Sequence, residues 1–146
     1  MSVLKYVSLL FILFLTMSTS QAATLVGLDG KCLDVQGDNA ANSAPVILYS
    51  CHGGENQQWR FRNGQIMGLE NKCLDVSGGS SADGTPIILY TCRNTANQRW
   101  KLRNDGSIRG LGGKCLDVSG GDSADGTKII LWPCTGQPNQ KWKFNF

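Results

Sequence analysis

From about Leu25 to the C-terminus, apolar residues fall in short runs separated by turn-forming clusters. Leu25-Val26-Gly27-Leu28, Cys32-Leu33-Asp34-Val35, Val46-Ile47-Leu48-Tyr49 and Trp59-Arg60-Phe61-Arg62 carry β-branched and aromatic residues and read as strands. Between them Asp29-Gly30, Gly37-Asp38-Asn39, Gly53-Gly54 and Asn63-Gly64 read as turns, because Asn-Gly and Asp-Gly accept the positive φ of tight connections. No window beyond the N-terminal stretch sustains an apolar period of 3.6 residues, so an all-β chain is expected.

The pattern then repeats. Lys31-Cys32-Leu33-Asp34-Val35 recurs at Lys72–Val76 and at Lys114–Val118. A second cysteine follows the first by 19 positions each time, as Cys51, Cys92 and Cys134. Gln-x-Trp follows at Gln57–Trp59, Gln98–Trp100 and Gln140–Trp142, always 27 positions from first cysteine to Trp. Gly-Leu precedes each unit's Lys-Cys, at Gly27-Leu28, Gly68-Leu69 and Gly110-Leu111. The units, about 25–65, 66–107 and 108–146, predict about twelve strands in all. A solenoid would need polar caps on its terminal units. Here the first and last units are as regular as the middle one, which points to a closed threefold structure.

The N-terminal stretch has a different character. Lys5 precedes an apolar run from Tyr6 to Met17, and Ser20-Gln21-Ala22 suits signal-peptidase cleavage. A leader over residues 1–22 and a domain over 23–146 are therefore expected. The alternative is a retained anchor, which the shortness of the run disfavours. A secreted protein with six cysteines is expected to hold disulfides. Threefold symmetry leaves two simple pairings, within each unit or from each unit to the next. The constant spacing brackets one hairpin-like segment and favours Cys32–Cys51, Cys73–Cys92 and Cys115–Cys134.

Charge and composition exclude several classes. Without Lys5 the chain has 13 basic and 11 acidic residues, a formal charge of +2, and its basic residues are scattered. No nucleic-acid partner is expected. A single histidine, His52, and no Cys-x-x-Cys leave no zinc site, so no metal and no cofactor are expected. Gly110–Lys114 departs from the phosphate-loop spacing and has no Ser or Thr after the lysine. Glu55 and Glu70 do not recur between units, and His52 has nothing to orient it, so neither a carboxylate pair nor a Ser-His-Asp set is on offer. His52 reads as a surface residue of the first unit, with contact to a ligand as the lesser reading. Lys31, Lys72 and Lys114 read as solvated, and Trp59, Trp100 and Trp142 as core.

Three Cys-Leu-Asp-Val segments in register with three Asn-Gln-x-Trp segments resemble the ricin B-chain lectin family over the whole chain beyond the leader. The resemblance implies a β-trefoil, a six-stranded barrel capped by three hairpins, with one shallow sugar pocket per unit. It implies that Asp34, Asp75 and Asp117 accept hydrogen bonds from sugar hydroxyls. Tyr49, Tyr90 and Trp132 would pack against a pyranose face, and Asn56, Asn97 and Asn139 would bond a further hydroxyl. Gln57, Gln98 and Gln140 would hold the site, partly by supporting the aspartate. Read without the resemblance, the same aspartates could serve turn backbones, and the tyrosines could be ordinary strand residues. One departure stands out: Ile47, Ile88 and Ile130 occupy a position where family members often carry a polar residue, commonly Gln.

The implied function is a secreted, non-catalytic lectin. Its partners would be glycans of galactose, N-acetylgalactosamine or plant-polysaccharide type, without calcium and without membrane insertion. The alternatives are a trefoil that acts by protein contact, and the binding subunit of a separate glycan-degrading enzyme.

Overall fold

The computed structural model describes residues 21–146, so the expected leader lies outside it apart from Gln21 and Ala22. Twelve short strands are formed among the described residues. They are β1 (Thr24–Val26), β2 (Cys32–Val35), β3 (Ala44–Tyr49), β4 (Arg60–Arg62), β5 (Gln65–Met67) and β6 (Cys73–Val76). The rest are β7 (Ile87–Tyr90), β8 (Lys101–Leu102), β9 (Ile108–Arg109), β10 (Cys115–Val118), β11 (Thr127–Trp132) and β12 (Lys143–Asn145).

Three hairpins share one register. In β2–β3 Cys32 faces Tyr49, Leu33 faces Leu48, Asp34 faces Ile47 and Val35 faces Val46. The β6–β7 and β10–β11 hairpins repeat it, with Asp75 facing Ile88 and Asp117 facing Ile130. The other six strands pair as β1–β12, β4–β5 and β8–β9, and the first of these joins the two ends of the chain. The hairpins meet one another where β3 pairs with β7 and with β11, and where Pro86 bridges Ile130. A barrel of three two-stranded ribbons capped by three hairpins is a β-trefoil, as the resemblance implied. Asn63-Gly64 makes the β4–β5 turn with φ of 50° and 79°, the conformation expected of that dipeptide.

The core is assembled from equivalent positions of the three units. Leu33, Val35, Leu48 and their counterparts are buried around Trp59, Trp100 and Trp142. Each indole Nε1 donates to a carbonyl in its own unit: Trp59 to Leu33 at 3.0 Å, Trp100 to Leu74 at 3.0 Å and Trp142 to Leu116 at 3.1 Å. Each indole ring lies against a glycine at the start of another unit, Trp59 on Gly68, Trp100 on Gly110 and Trp142 on Gly27. A Cβ at those glycines would sit 2.5–2.6 Å from the indole Cζ3. That close approach explains the glycine of the repeated Gly-Leu. The Trp142–Gly27 contact also helps to close the ring across the chain ends.

Cysteine pairing is within units: Cys32–Cys51, Cys73–Cys92 and Cys115–Cys134, each bond bridging 19 positions. Closing a loop of that size contributes roughly 3 kcal/mol by restricting the unfolded chain.

The lysines that precede the first cysteines are not simply solvated. Lys31 Nζ donates to the Ser123 carbonyl at 2.5 Å and pairs with Asp125 at 3.0 Å. Lys72 donates to the Ala40 carbonyl. Lys114 donates to the Ser81 carbonyl and pairs with Asp83 at 2.6 Å. Each lysine thus fastens its unit to a loop of another. The sequence reading missed this because the acceptors are mostly backbone carbonyls on a different unit, which leave no signature beside the lysine.

Gly68→Ala would force the Trp59 indole to move. Overpacking of this kind costs about 1–3 kcal/mol. Denaturant unfolding should show a loss of that order, and a variant as stable as wild type would contradict the packing described.

Candidate functional site

Each unit brings an aspartate, an asparagine and an aromatic side chain to one cleft, with a glutamine behind the aspartate, and strand geometry sets the first. Asp34, Asp75 and Asp117 lie mid-strand in β2, β6 and β10 and are each only 3% exposed. A buried carboxylate needs hydrogen-bond donors. They come from three-residue 3₁₀ turns, Glu55–Gln57, Ala96–Gln98 and Pro138–Gln140, which carry the Asn and Gln that precede the core tryptophan.

The glutamines are wholly buried and lie behind the aspartates. Gln57 Nε2 donates to Asp34 Oδ2 at 2.7 Å and to the Ser50 carbonyl at 3.0 Å, and its Oε1 accepts from the His52 amide at 2.9 Å. Gln98 does the same for Asp75 at 2.8 Å, with Thr91 and Arg93. Gln140 does it for Asp117 at 2.7 Å, with Pro133 and Thr135. Both donors and an acceptor lone pair of each amide are thereby engaged. The glutamine is a brace between the strand that bears the aspartate and the loop that follows the second cysteine.

The asparagines stand nearer the opening. Asn56 Nδ2 donates to Asp34 Oδ1 at 3.2 Å and to the Val35 carbonyl at 3.1 Å. Asn97 makes the matching bonds to Asp75 and Val76, both at 3.2 Å. Asn139 donates to the Val118 carbonyl at 3.1 Å. Among the described residues no donor reaches the Oδ1 of any of the three asparagines. A carboxylate offers about four lone-pair directions, and the protein takes one or two of them here.

Burial raises all three aspartate pKa values above the ordinary one. Donation from Gln57, Gln98 and Gln140 opposes the rise, helped by the nearby His52 and Arg93 in the first two units and by the asparagines. Desolvation wins because the carboxylates sit under the strand surface rather than at it.

The clefts above these sets are unequal. The first, about 640 Å³, is lined by Asp34, Asn56, Ile47, Tyr49 and His52. The third, about 600 Å³, is lined by Asp117, Asn139, Ile130, Trp132 and Thr135. The second, about 370 Å³, is lined by Asp75, Asn97, Ile88, Tyr90 and Arg93. Tyr49 and Trp132 are each 40% exposed, so both present ring surface. Tyr90 is more covered, because the Arg93 guanidinium lies 4.3 Å from its ring centre. Ile47, Ile88 and Ile130 line the three clefts, so the position where a polar residue was noted as missing gives each cleft an apolar patch.

One lining position was weighed from the sequence only at His52, and there as the lesser reading. The residue after the second cysteine, His52, Arg93 or Thr135, lines its cleft in every unit. His52 is therefore more than a surface residue. Its Nε2 lies 3.5 Å from Asp34 Oδ2, its Nδ1 accepts from the Gly54 amide at 3.0 Å, and its ring stands at 71° to Tyr49. The available signal was position: this residue directly follows an invariant cysteine and changes in every unit.

The chain matches the ricin-type beta-trefoil lectin domain over residues 21–142. Its fold is similar to that of ThreeFoil, a designed threefold-symmetric protein, with 35% identity and a TM-score of 0.79 over 84% of this chain and 96% of that one. It is similar to part of an exo-β-1,3-galactanase from Clostridium thermocellum, with 31% identity and a TM-score of 0.77 over 88% of this chain and 30% of that one. It is also similar to the C-half of an earthworm R-type lectin in complex with GalNAc, with 26% identity and a TM-score of 0.74 over 85% of this chain and 97% of that one. Among curated proteins, a probable lipoprotein EnvE of Salmonella typhimurium is 52% identical over 29 residues, which is 20% of this chain and 17% of that protein. With its three equivalent units, its twelve strands and a match across nearly all of the described residues, the chain belongs to the ricin-type β-trefoil lectin family.

Proposed function

We propose that the protein is a secreted, non-catalytic lectin that binds sugars in up to three clefts, one per unit. One observation carries this reading: in every unit a buried, braced carboxylate, an asparagine and an aromatic side chain converge on one open cleft. A pyranose presents neighbouring hydroxyls and a C–H face. The carboxylate accepts from the hydroxyls, the asparagine Oδ1 accepts another, and the aromatic with its neighbouring isoleucine covers the C–H patch. The family and the GalNAc complex of the earthworm lectin support galactose or N-acetylgalactosamine as ligand type, with plant polysaccharide as the other class. Secretion is supported by the Lys5–Ala22 pattern and the three disulfides.

The clefts differ in what they offer a neutral sugar. Tyr49 and Trp132 give the first and third a usable ring face, whereas Arg93 occupies that of Tyr90. An open site of this type binds one sugar at about millimolar strength, roughly −4 kcal/mol. Several sites on one rigid body raise avidity on a multivalent surface by roughly 10² to 10⁴.

Catalysis has little to stand on. Asp38 and Glu55 stand at the first cleft beside Asp34, a gathering of acids that the sequence reading did not anticipate. The corresponding positions are Gly79 and Ala96 in the second unit and Gly121 and Pro138 in the third. What the three units share is a binding set. The galactanase relative gives a second reading some support, in which this chain directs a separate glycan-degrading enzyme to its substrate.

A glycan array with wild type and with Asp34→Ala, Asp75→Ala and Asp117→Ala tests the proposal. Wild type should bind, and each loss at a working cleft should weaken that cleft roughly 10- to 100-fold, the worth of a charge-assisted hydrogen bond. Near-UV circular dichroism checks that the variants keep the fold. A folded wild type that binds nothing across a broad array would sink the lectin reading and leave action by protein contact.

Acidification supplies a second check. With pKa values raised by burial, the three aspartates begin to take up protons above the ordinary carboxylate range near 4. A protonated acid accepts fewer hydroxyl hydrogens, so sugar affinity should fall before that range is reached. The sign for stability is the reverse. The folded state holds these protons more tightly than the unfolded one, so these groups favour folding increasingly as pH drops through their folded pKa. Affinity unchanged from neutral pH down to about 4 would contradict a role for the carboxylates.

A further inference from the structure

The second unit differs from the others in two arginines. Arg93 and Arg99 line a polar depression of about 410 Å³ together with Asn63, Gln65 and Asn94. Arg93 also lines the Asp75 cleft, so this one residue borders both hollows. Gln65 Nε2 donates to the Arg93 carbonyl at 2.9 Å and ties down the backbone from which that side chain projects. Among the described residues the ion pairs are made by Lys31, His52, Arg109 and Lys114, and neither Arg93 nor Arg99 has a carboxylate within pairing distance. The carboxylate that feels Arg93 is Asp75, whose pKa burial raises and whose rise that charge partly opposes.

The other units lack this arrangement. The positions of Arg93 and Arg99 are His52 and Gln58 in the first unit, and Thr135 and Lys141 in the third. Lys141 is engaged, donating to the Asp105 carbonyl at 2.7 Å. A guanidinium with free N–H groups in a polar hollow suits a carboxylate or a sulfate, which it can hold through two parallel hydrogen bonds. The same Arg93 covers the Tyr90 face that a neutral pyranose would use. One side chain therefore subtracts from neutral binding and adds to anionic binding.

We propose that the second unit recognises an acidic sugar. The pyranose hydroxyls reach Asp75 and Asn97, and a carboxylate or sulfate on the sugar is held by Arg93 and Arg99. The anionic group points away from Asp75, into the depression shared by the two arginines. The residue after the second cysteine then selects the ligand of each unit. This rests on the carbohydrate-binding reading above.

Titration of the whole protein with methyl galactoside, methyl galacturonoside, galactose 6-sulfate and inorganic sulfate tests it, followed by NMR at assigned amides of each cleft. The charged sugars should bind the second unit roughly tenfold more tightly than the neutral one, the scale of one charge-assisted interaction. Added salt should erode that preference. Arg93→Gln and Arg99→Gln should each remove most of it and leave neutral binding at the first and third clefts unchanged. Preference for one charged sugar over the other identifies the group as carboxylate or sulfate. Neutral and charged sugars binding the second unit equally, or arginine variants that bind charged sugars as wild type does, would overturn the proposal. So would inorganic sulfate binding as tightly as the sulfated sugar, which would make the arginines an anion site only. If neutral sugar binds the first and third clefts while charged sugar ignores the second, this inference alone fails. If no sugar binds any cleft, the carbohydrate reading fails with it.

Discussion

The structure depends on a pair of hydrogen bonds that each Gln-x-Trp segment makes to one hairpin strand. Trp59 Nε1 donates to the carbonyl of Leu33, and Gln57 Nε2, two residues earlier, donates to the carboxylate of the next residue, Asp34. One bond lies in the core and the other under the cleft. The same pair recurs at Leu74 and Asp75, and at Leu116 and Asp117. Core and site are therefore fastened at adjacent residues, and the indole then reaches on to a glycine of another unit. A cleft built this way inherits its rigidity from the core, which would suit the sugar binding proposed for it.

Much of this was legible in the sequence because the repeat is strict. Constant spacing between Cys, Cys and Trp gave the unit, its hairpin and its disulfide, and the twelve strands appear close to where alternating and aromatic residues placed them. The 3₁₀ turns that carry Asn and Gln were not anticipated, because a three-residue turn has no apolar period to detect. The lysine contacts were also hidden. Lys31, Lys72 and Lys114 reach carbonyls of Ser123, Ala40 and Ser81, and a backbone acceptor on a distant loop is invisible in a linear reading. The resemblance to a family supplied which residues to watch, and the hydrogen bonds supply the physical reason for their order along the chain.

Strict symmetry in the frame coexists with difference at the rim. The braces and the disulfides repeat, while His52, Arg93 and Thr135 do not. Changes there leave the glutamine brace intact, because Gln57, Gln98 and Gln140 accept from the backbone amide of that residue rather than from its side chain. A position whose main chain carries the brace can change its side chain and leave that brace in place. The apolar patch of Ile47, Ile88 and Ile130 is common to all clefts.

The buried carboxylates are the groups proposed to hold a sugar. A crystal structure of the protein soaked with N-acetylgalactosamine tests this most directly. Sugar density is expected in the first and third clefts, with hydroxyl oxygens within hydrogen-bonding distance of the Asp34 and Asp117 carboxylates and the ring against Tyr49 and Trp132. A sugar bound elsewhere on the molecule, or in the clefts without contact to those carboxylates, would contradict it.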